Sequence, residues 1–341
     1  VTRYIYCAGE ADAPTVWQID PSDMLKVRES ADYGSYIDVL ATDASYIYCG
    51  GSIKVWQIDP SDMSKVAESA DYGSYIYALA TDASYIYCGG HATQTVWQIN
   101  PSDMSKVAES ADYGGIIYAL AADASYIYCG GHATRTVWQI DPSDMSKAAE
   151  SPNYGGYIRA LATDTSYIYC GGSTTHTVWQ IDPSDMSKVA ESADYGSDIE
   201  ALATDASYVY CGGDSCTVWQ IDPSDMSRVA ESANYGDWIY ALATDGTYLY
   251  CGGYTNSTVW QIDPSDMSKV AESATYGWCV RALAVAQLKA VYADLTLNRV
   301  HDIQIIWDVL LANIAMPANR TYRVEAEDRT YTVRRREHFI A

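Results

Sequence analysis

The side chains in this sequence that could do chemistry recur at intervals rather than cluster. His91, His132 and His176 offer imidazoles to zinc, while Arg159, Glu200 and Arg281 offer an acid/base set. Asp-Pro-Ser-Asp runs, as at Asp59 to Asp62, offer carboxylate oxygens to a hard cation. Nine cysteines offer thiolates or bridges. Trp17, Trp56, Trp97, Trp138, Trp179, Trp219 and Trp260 offer flat faces for sugars. Which of these chemistries is feasible depends on the elements that hold the side chains.

Those elements repeat. Seven of the cysteines (Cys7, Cys49, Cys88, Cys129, Cys170, Cys211 and Cys251) mark one position that advances by 42, 39, 41, 41, 41 and 40 residues. That period suits four short strands with tight turns. Within a unit the alternation has period two: Tyr85 and Tyr87 oppose Ile86 and Cys88, and Trp97 with Ile99 opposes Val96 with Gln98. Gly, Pro, Asp and Ser gather at the breaks, where turns need them. We label the strands a (IYALA), b (YIYCG), c (TVWQI) and d (SKVAE). The array opens on strand b, at Tyr4 to Cys7, and ends on a lone strand a, at Cys279 to Ala284. Each strand type therefore occurs seven times, and the last strand a completes the first blade. Such a 3+1 closure buries edges that an open array leaves exposed.

The expected fold is all-β: a seven-bladed β-propeller of four-stranded antiparallel blades over residues 1–284, with a C-terminal extension over 285–341. The unit, sampled over residues 85–125 as YIYCGG, TVWQIN, PSDM, SKVAES, ADYG, IIYALA and ADAS, resembles the YVTN, PQQ and WD-repeat group of propellers across residues 1–284. That group holds enzymes, scaffolds and lectins, so the resemblance implies an architecture and no function.

Seven near-identical copies in one chain allow position-by-position comparison, and their differences collect at two places. The b–c turn reads HATQ from His91 to Gln94, HATR from His132 to Arg135, STTH from Ser173 to His176, DSC from Asp214 to Cys216 and YTNS from Tyr254 to Ser257. The d–a junction varies at three positions per blade. These include Tyr36 and Asp38, Tyr75 and Tyr77, Tyr118, Tyr157 and Arg159, Asp198 and Glu200, Trp238 and Tyr240, and Trp278 and Arg281. In an up-and-down blade both connections lie on one face of the disc, and the nearly constant a–b and c–d turns share the other. Drift alone would vary both faces. Variation on one face, rich in Tyr, Trp, Arg and Asp, predicts recognition, because rigid aromatics with a few charges supply contact energy at binding surfaces. The d–a residues are expected to ring the channel mouth and the b–c turns to form an outer ring.

In a ring of such blades, most of the candidate chemistry falls away. Histidines in the turns of neighbouring blades stand ~10 Å or more apart, too far to share an ion whose ligand bonds are near ~2 Å. The Asp-Pro-Ser-Asp run reads as turn chemistry, lacking the further oxygen ligands and glycine bend of a calcium loop. Equivalent cysteines lie beyond bridging distance and read as free buried thiols. The strand-c tryptophans read as packing between blades. Arg159, Glu200 and Arg281 lack a nucleophile, so the expectation is a non-enzyme without metal or cofactor; a hydrolase or lyase at the channel mouth is the alternative.

The formal charge is −23; residues 285–341 carry 8 Lys+Arg and 7 Asp+Glu, leaving 13 and 37, a balance of −24, for residues 1–284. So acidic a body repels phosphate backbones, which argues against nucleic acid. No apolar run of about 18 residues argues for membrane insertion, and the first residues lack an export-signal pattern. A soluble protein is expected, intracellular or part of a virus particle. Residues 287–315 have spacings compatible with an amphipathic helix, although Leu295-Thr-Leu297 and Ile303-Gln-Ile305 alternate as strands do. A short repeat comes after them, Asn319-Arg-Thr-Tyr-Arg-Val324 and Asp328-Arg-Thr-Tyr-Thr-Val333. It resembles the Arg-Thr-Tyr-Val repeats of some tailed-phage structural proteins, which implies attachment to a particle protein or to other copies of the chain. The partner expected on the varied face is a glycan or a protein. A virion or surface decoration protein without a dedicated ligand is the structural alternative.

Overall fold

The computed structural model describes residues 3–287, apart from 13, 44, 83, 92, 206 and 255, together with 322–326 and 329–333. The chain divides into two compact units, Val1–Lys289 and Ala290–Ala341. In the first, seven four-stranded antiparallel sheets each run in the order a, b, c, d. We number the blades by strand a: Val39–Thr42, Ile76–Thr81, Ile117–Ala122, Ile158–Thr163, Ile199–Thr204, Ile239–Thr244 and Cys279–Gln287. Every element among the described residues is a strand.

The seventh blade closes the ring as the strand count requires. Cys279–Gln287 pairs with Arg3–Glu10, which pairs with Trp17–Ile19 and then Lys26–Glu29. Its register runs from Arg3 opposite Gln287 to Glu10 opposite Cys279, so this strand a extends three residues past Ala284.

The apolar strand faces pack between blades. Tyr48 and Val55 of the first blade share one core with Ile76, Leu79, Cys88, Trp97 and Met104 of the second. Trp97 meets Tyr72 edge-on at 5.0 Å, and the Lys106 ammonium stands 3.9 Å from its ring centre, so this tryptophan is an inter-blade packing residue. The seven marker cysteines are free and buried, and burial pushes their thiols up, which keeps them protonated and inert. The glycines beside them permit this packing. A Cβ on Gly130 would lie 2.5 Å from Ile158 Cγ2 of the next blade, and one on Gly131 would lie 2.0 Å from the Ile116 carbonyl oxygen.

The c–d turn is built as its sequence suggests. The Ser61 and Ser64 N–H groups donate to the carboxylates of Asp59 and Asp62 at 2.8 and 2.9 Å. The role of the methionine in this turn was not legible: Met63 takes a left-handed conformation, φ 64°, and its side chain is buried in the neighbouring core. The same turns tie the blades together. Gln57 of strand c donates to the Pro101 carbonyl of the next blade at 2.9 Å, and the equivalent bond recurs from Gln18, Gln98, Gln139, Gln180 and Gln220. Gln261 donates to Pro21 at 2.9 Å, which completes a circlet of seven.

In the second unit Tyr322–Ala326 pairs antiparallel with Arg329–Val333, Tyr322 standing opposite Val333. The two short repeats thus pair with each other. The helix expected over 287–315 lies outside the described residues, except for Gln287, which ends a strand.

Candidate functional site

The residues of the d–a junction are aimed by a break in the strand. In strand a of the second blade, Ile76 pairs with Gly90 and Ala78 with Gly89, so Tyr77 is an extra residue with no partner across the ladder. Tyr118, Arg159, Glu200, Tyr240 and Arg281 are the extra residues of the same bulge in five further blades. Asp38 sits at the equivalent position of the first blade, immediately before its strand begins at Val39. A bulge bends the strand and redirects one side chain. Here all seven redirected side chains line a central cavity of about 220 Å³, walled by strand a of every blade. The second glycine of each pair is the counterpart of this device, because the bulged strand crosses where its Cβ would be.

Around the channel the order is Asp38, Tyr77, Tyr118, Arg159, Glu200, Tyr240 and Arg281. Arg159 pairs with Glu200 at 3.1 Å, and Arg281 pairs with Asp38 at 3.5 Å and with Glu10. The guanidinium of Arg159 lies 5.9 Å from the Tyr118 ring centre, and that of Arg281 lies 5.6 Å from Tyr240. Burial raises the Glu200 carboxyl to about 7 against the opposing pull of Arg159, and raises Asp38 to about 6 against that of Arg281. Glu10 was missed in the sequence; it ends strand b of the seventh blade, at the position where His91, His132 and Asp214 follow the glycines of other blades.

Raised folded-state values have a definite sign. The folded protein holds these protons more tightly than the unfolded chain, so the stabilisation is complete below the ordinary carboxyl range and is lost as pH rises through about 7 for Glu200. Thermal denaturation of the wild type should therefore show stability falling between pH 4.5 and about 7. Glu200→Gln should flatten most of that slope and Asp38→Asn the remainder. An unchanged slope in the double variant would remove both carboxyls as its source.

The second d–a position is exposed in three blades. Tyr36, Tyr75 and Trp238 are exposed there, and Trp278 is exposed one position earlier in the seventh blade. Together with Tyr254 of a b–c turn, they are all the exposed aromatic side chains among the described residues, and all five lie on the varied face. The outer ring touches the inner positions at several points. His132 stacks on Tyr157 at 4.1 Å with Arg135 5.8 Å from the same ring, His176 Nε2 lies 3.3 Å from Asp198, and Tyr254 stacks on Trp238 at 6.0 Å. Tyr75 stacks on Tyr77, which in turn meets Tyr118 at 5.9 Å. Asp214 is half-buried and its carboxyl is raised by burial and by the charge of Asp198. His91 is exposed, and Gln94 closes its turn.

The turns that carry the outer ring close on the same backbone conformation despite their different sequences. Gln94, Arg135, His176, Cys216 and Ser257 are all left-handed, with φ between 52° and 61°. The carbonyl of each accepts the N–H of the tyrosine leading into the next blade, from Tyr113 at 2.7 Å through Tyr276 at 2.7 Å. A left-handed non-glycine residue is uncommon, and five in register require a frame that over-determines them. Side chains change while their mounting does not.

The architecture defines a seven-bladed β-propeller. No family model and no curated protein matches the chain. Among solved structures it is similar to the crystal structure of the computationally designed Ika8 protein, with a TM-score of 0.65 and 19% sequence identity over 84% of this chain and 87% of that one. At that identity the likeness shows the fold alone.

Proposed function

We propose that the chain is a non-enzymatic recognition module that binds a glycan or a protein on the face formed by the b–c and d–a connections. The observation that carries this reading is the confinement of the exposed aromatics, Tyr36, Tyr75, Trp238, Tyr254 and Trp278, to that face. The constant closing residue of five of the varied turns supports it, since a rigid scaffold that displays different loops is how binding surfaces diversify. The cavity, at about 220 Å³, is below the ~300 Å³ at which pockets begin to enclose a drug-sized ligand. Contact therefore takes place across the mouth and its rim. On this reading residues 285–341 attach the disc to a larger assembly, in keeping with the tail's resemblance to phage structural proteins. A hydrolase or lyase reading draws on Glu200, whose carboxyl is raised to about 7, but Arg159 already engages that group.

Glycan and protein arrays probed with the wild type and with a Tyr75→Ala, Tyr157→Ala, Trp238→Ala variant test the proposal. Loss of the wild-type hits in the variant, at unchanged melting temperature, is the expected result. Hits that persist at full strength would remove these three residues from the site, and a wild type that binds nothing on either array would favour the decoration protein.

A further inference from the structure

The rim of the sixth blade differs from the rest of the face. Trp238, Tyr240 and Tyr254 form a nearly equilateral triangle of ring centres with sides of 6.0, 6.2 and 6.3 Å. Trp238 and Tyr254 are 27° from parallel, and Tyr240 stands across them at 69° and 76°. The result is an angled corner rather than the flat single platform on which a sugar ring lies. A cation seated above the triangle would fall within about 6 Å of all three centres, the range over which a ring face attracts positive charge.

This protein covers many of its aromatic faces with its own cations, and at this corner Arg281 lies 5.6 Å from the Tyr240 ring centre. Among the described residues a Lys or Arg stands over an aromatic ring in nine places, from Lys26 on Trp17 to Arg281 on Tyr240, and neither Trp238 nor Tyr254 is among those rings. Both are more than 40% exposed. Burial first and then Cys279 push the Tyr240 hydroxyl up to about 12, with Arg281 opposing and Glu200 and Asp214 adding smaller upward contributions. Arg281 is itself held by Glu10 and Asp38. Beyond the site, the −24 balance of residues 1–284 steers basic partners toward the disc and anionic ones away.

We propose that Trp238, Tyr240 and Tyr254 seat an alkylammonium group, the side chain of a lysine or its methylated form, presented by a basic protein partner. The inference rests on the recognition reading of this face and commits it to a protein ligand at this corner. Trp238 and Tyr254 form the walls and Tyr240 the floor, and the ring faces favour a cation over a neutral group of the same shape.

The test uses the full chain and small probes, with the Trp238 indole N–H followed by NMR and assigned through Trp238→Phe. Trimethyl-lysine amide and lysine amide should produce saturable shifts at millimolar concentration. The neutral tert-butyl analogue, in which carbon replaces nitrogen, should bind at least about tenfold more weakly, as should the cationic probes to Trp238→Ala or Tyr254→Ala. Both substitutions are at exposed positions, so retention of the fold is checked by melting temperature. Equal binding of the neutral analogue, saturable binding of cellobiose in place of the ammonium probes, or no shift up to tens of millimolar would each overturn the proposal. Array hits that vanish in the triple alanine variant while the ammonium probes stay silent would overturn it and leave the broader recognition reading intact.

Discussion

Deleting Cys279–Gln287 should abolish the cooperatively folded ring. This strand supplies the partner for all of Arg3–Glu10, and without it the seventh blade keeps three strands and an open inner edge. The neighbouring interface also opens, because Val280 and Leu283 fill the space beside Gly252 of the sixth blade. Val280, Leu283, Ala282 and Ala284 are all buried, so both flanking cores lose apolar contacts at once. An exposed inner strand is a template for pairing with other chains. The expected measurements are loss of a sharp thermal transition, binding of a hydrophobic dye and aggregation, with partial rescue by an added peptide spanning 279–287. A cooperative transition within a few degrees of the wild type would show that closure contributes little.

Gly131→Ala should be the most damaging single methyl group in the third blade. Its Cβ would lie 2.0 Å from the Ile116 carbonyl oxygen, a backbone atom that cannot rotate away. Overpacking of this kind costs typically about 1–3 kcal/mol, and a backbone clash belongs at the upper end. For a domain of this size each kcal/mol moves the midpoint by about 2–4 °C, so calorimetry should record a fall of roughly 5–10 °C. Relief requires the bulge to open or slide, which would turn Tyr118 away from the channel. The stability loss should therefore come with a change at the mouth, visible in the Tyr118 ring resonances. A midpoint within a degree of the wild type would mean that the bulge yields at no cost and does not fix the direction of Tyr118.

The architecture was legible because repetition exposed it. Seven cysteines at one position set the blade count, and an array opening on strand b and ending on strand a carried closure. The sharing of one face by the two varied connections followed from strand order alone, and contacts such as His132 on Tyr157 and Tyr254 on Trp238 bring them together. The bulge was not legible, because Tyr77 continues the strand's alternating pattern without a mark; the only sign was the glycine pair on the facing strand. Glu10 escaped because the first b–c turn reads unlike the others, although its position after Gly9 matches that of His91 after Gly90. Gln57 and Pro101 carry no local signal of their bond, since a side-chain donor and a backbone acceptor 44 residues apart leave no periodicity beyond that of the repeat itself.

The circlet of glutamine-to-proline bonds gives the ring a direction. Every blade holds the one after it and is held by the one before, with Gln261 reaching Pro21 across the closure of the repeat array as Gln57 reaches Pro101 within it. On that side of the disc the place where the repeat array opens and closes leaves no seam. A load pulling one blade outward is passed to both neighbours, as in a hooped barrel, so the constant side resists spreading while the opposite side is free to change its side chains.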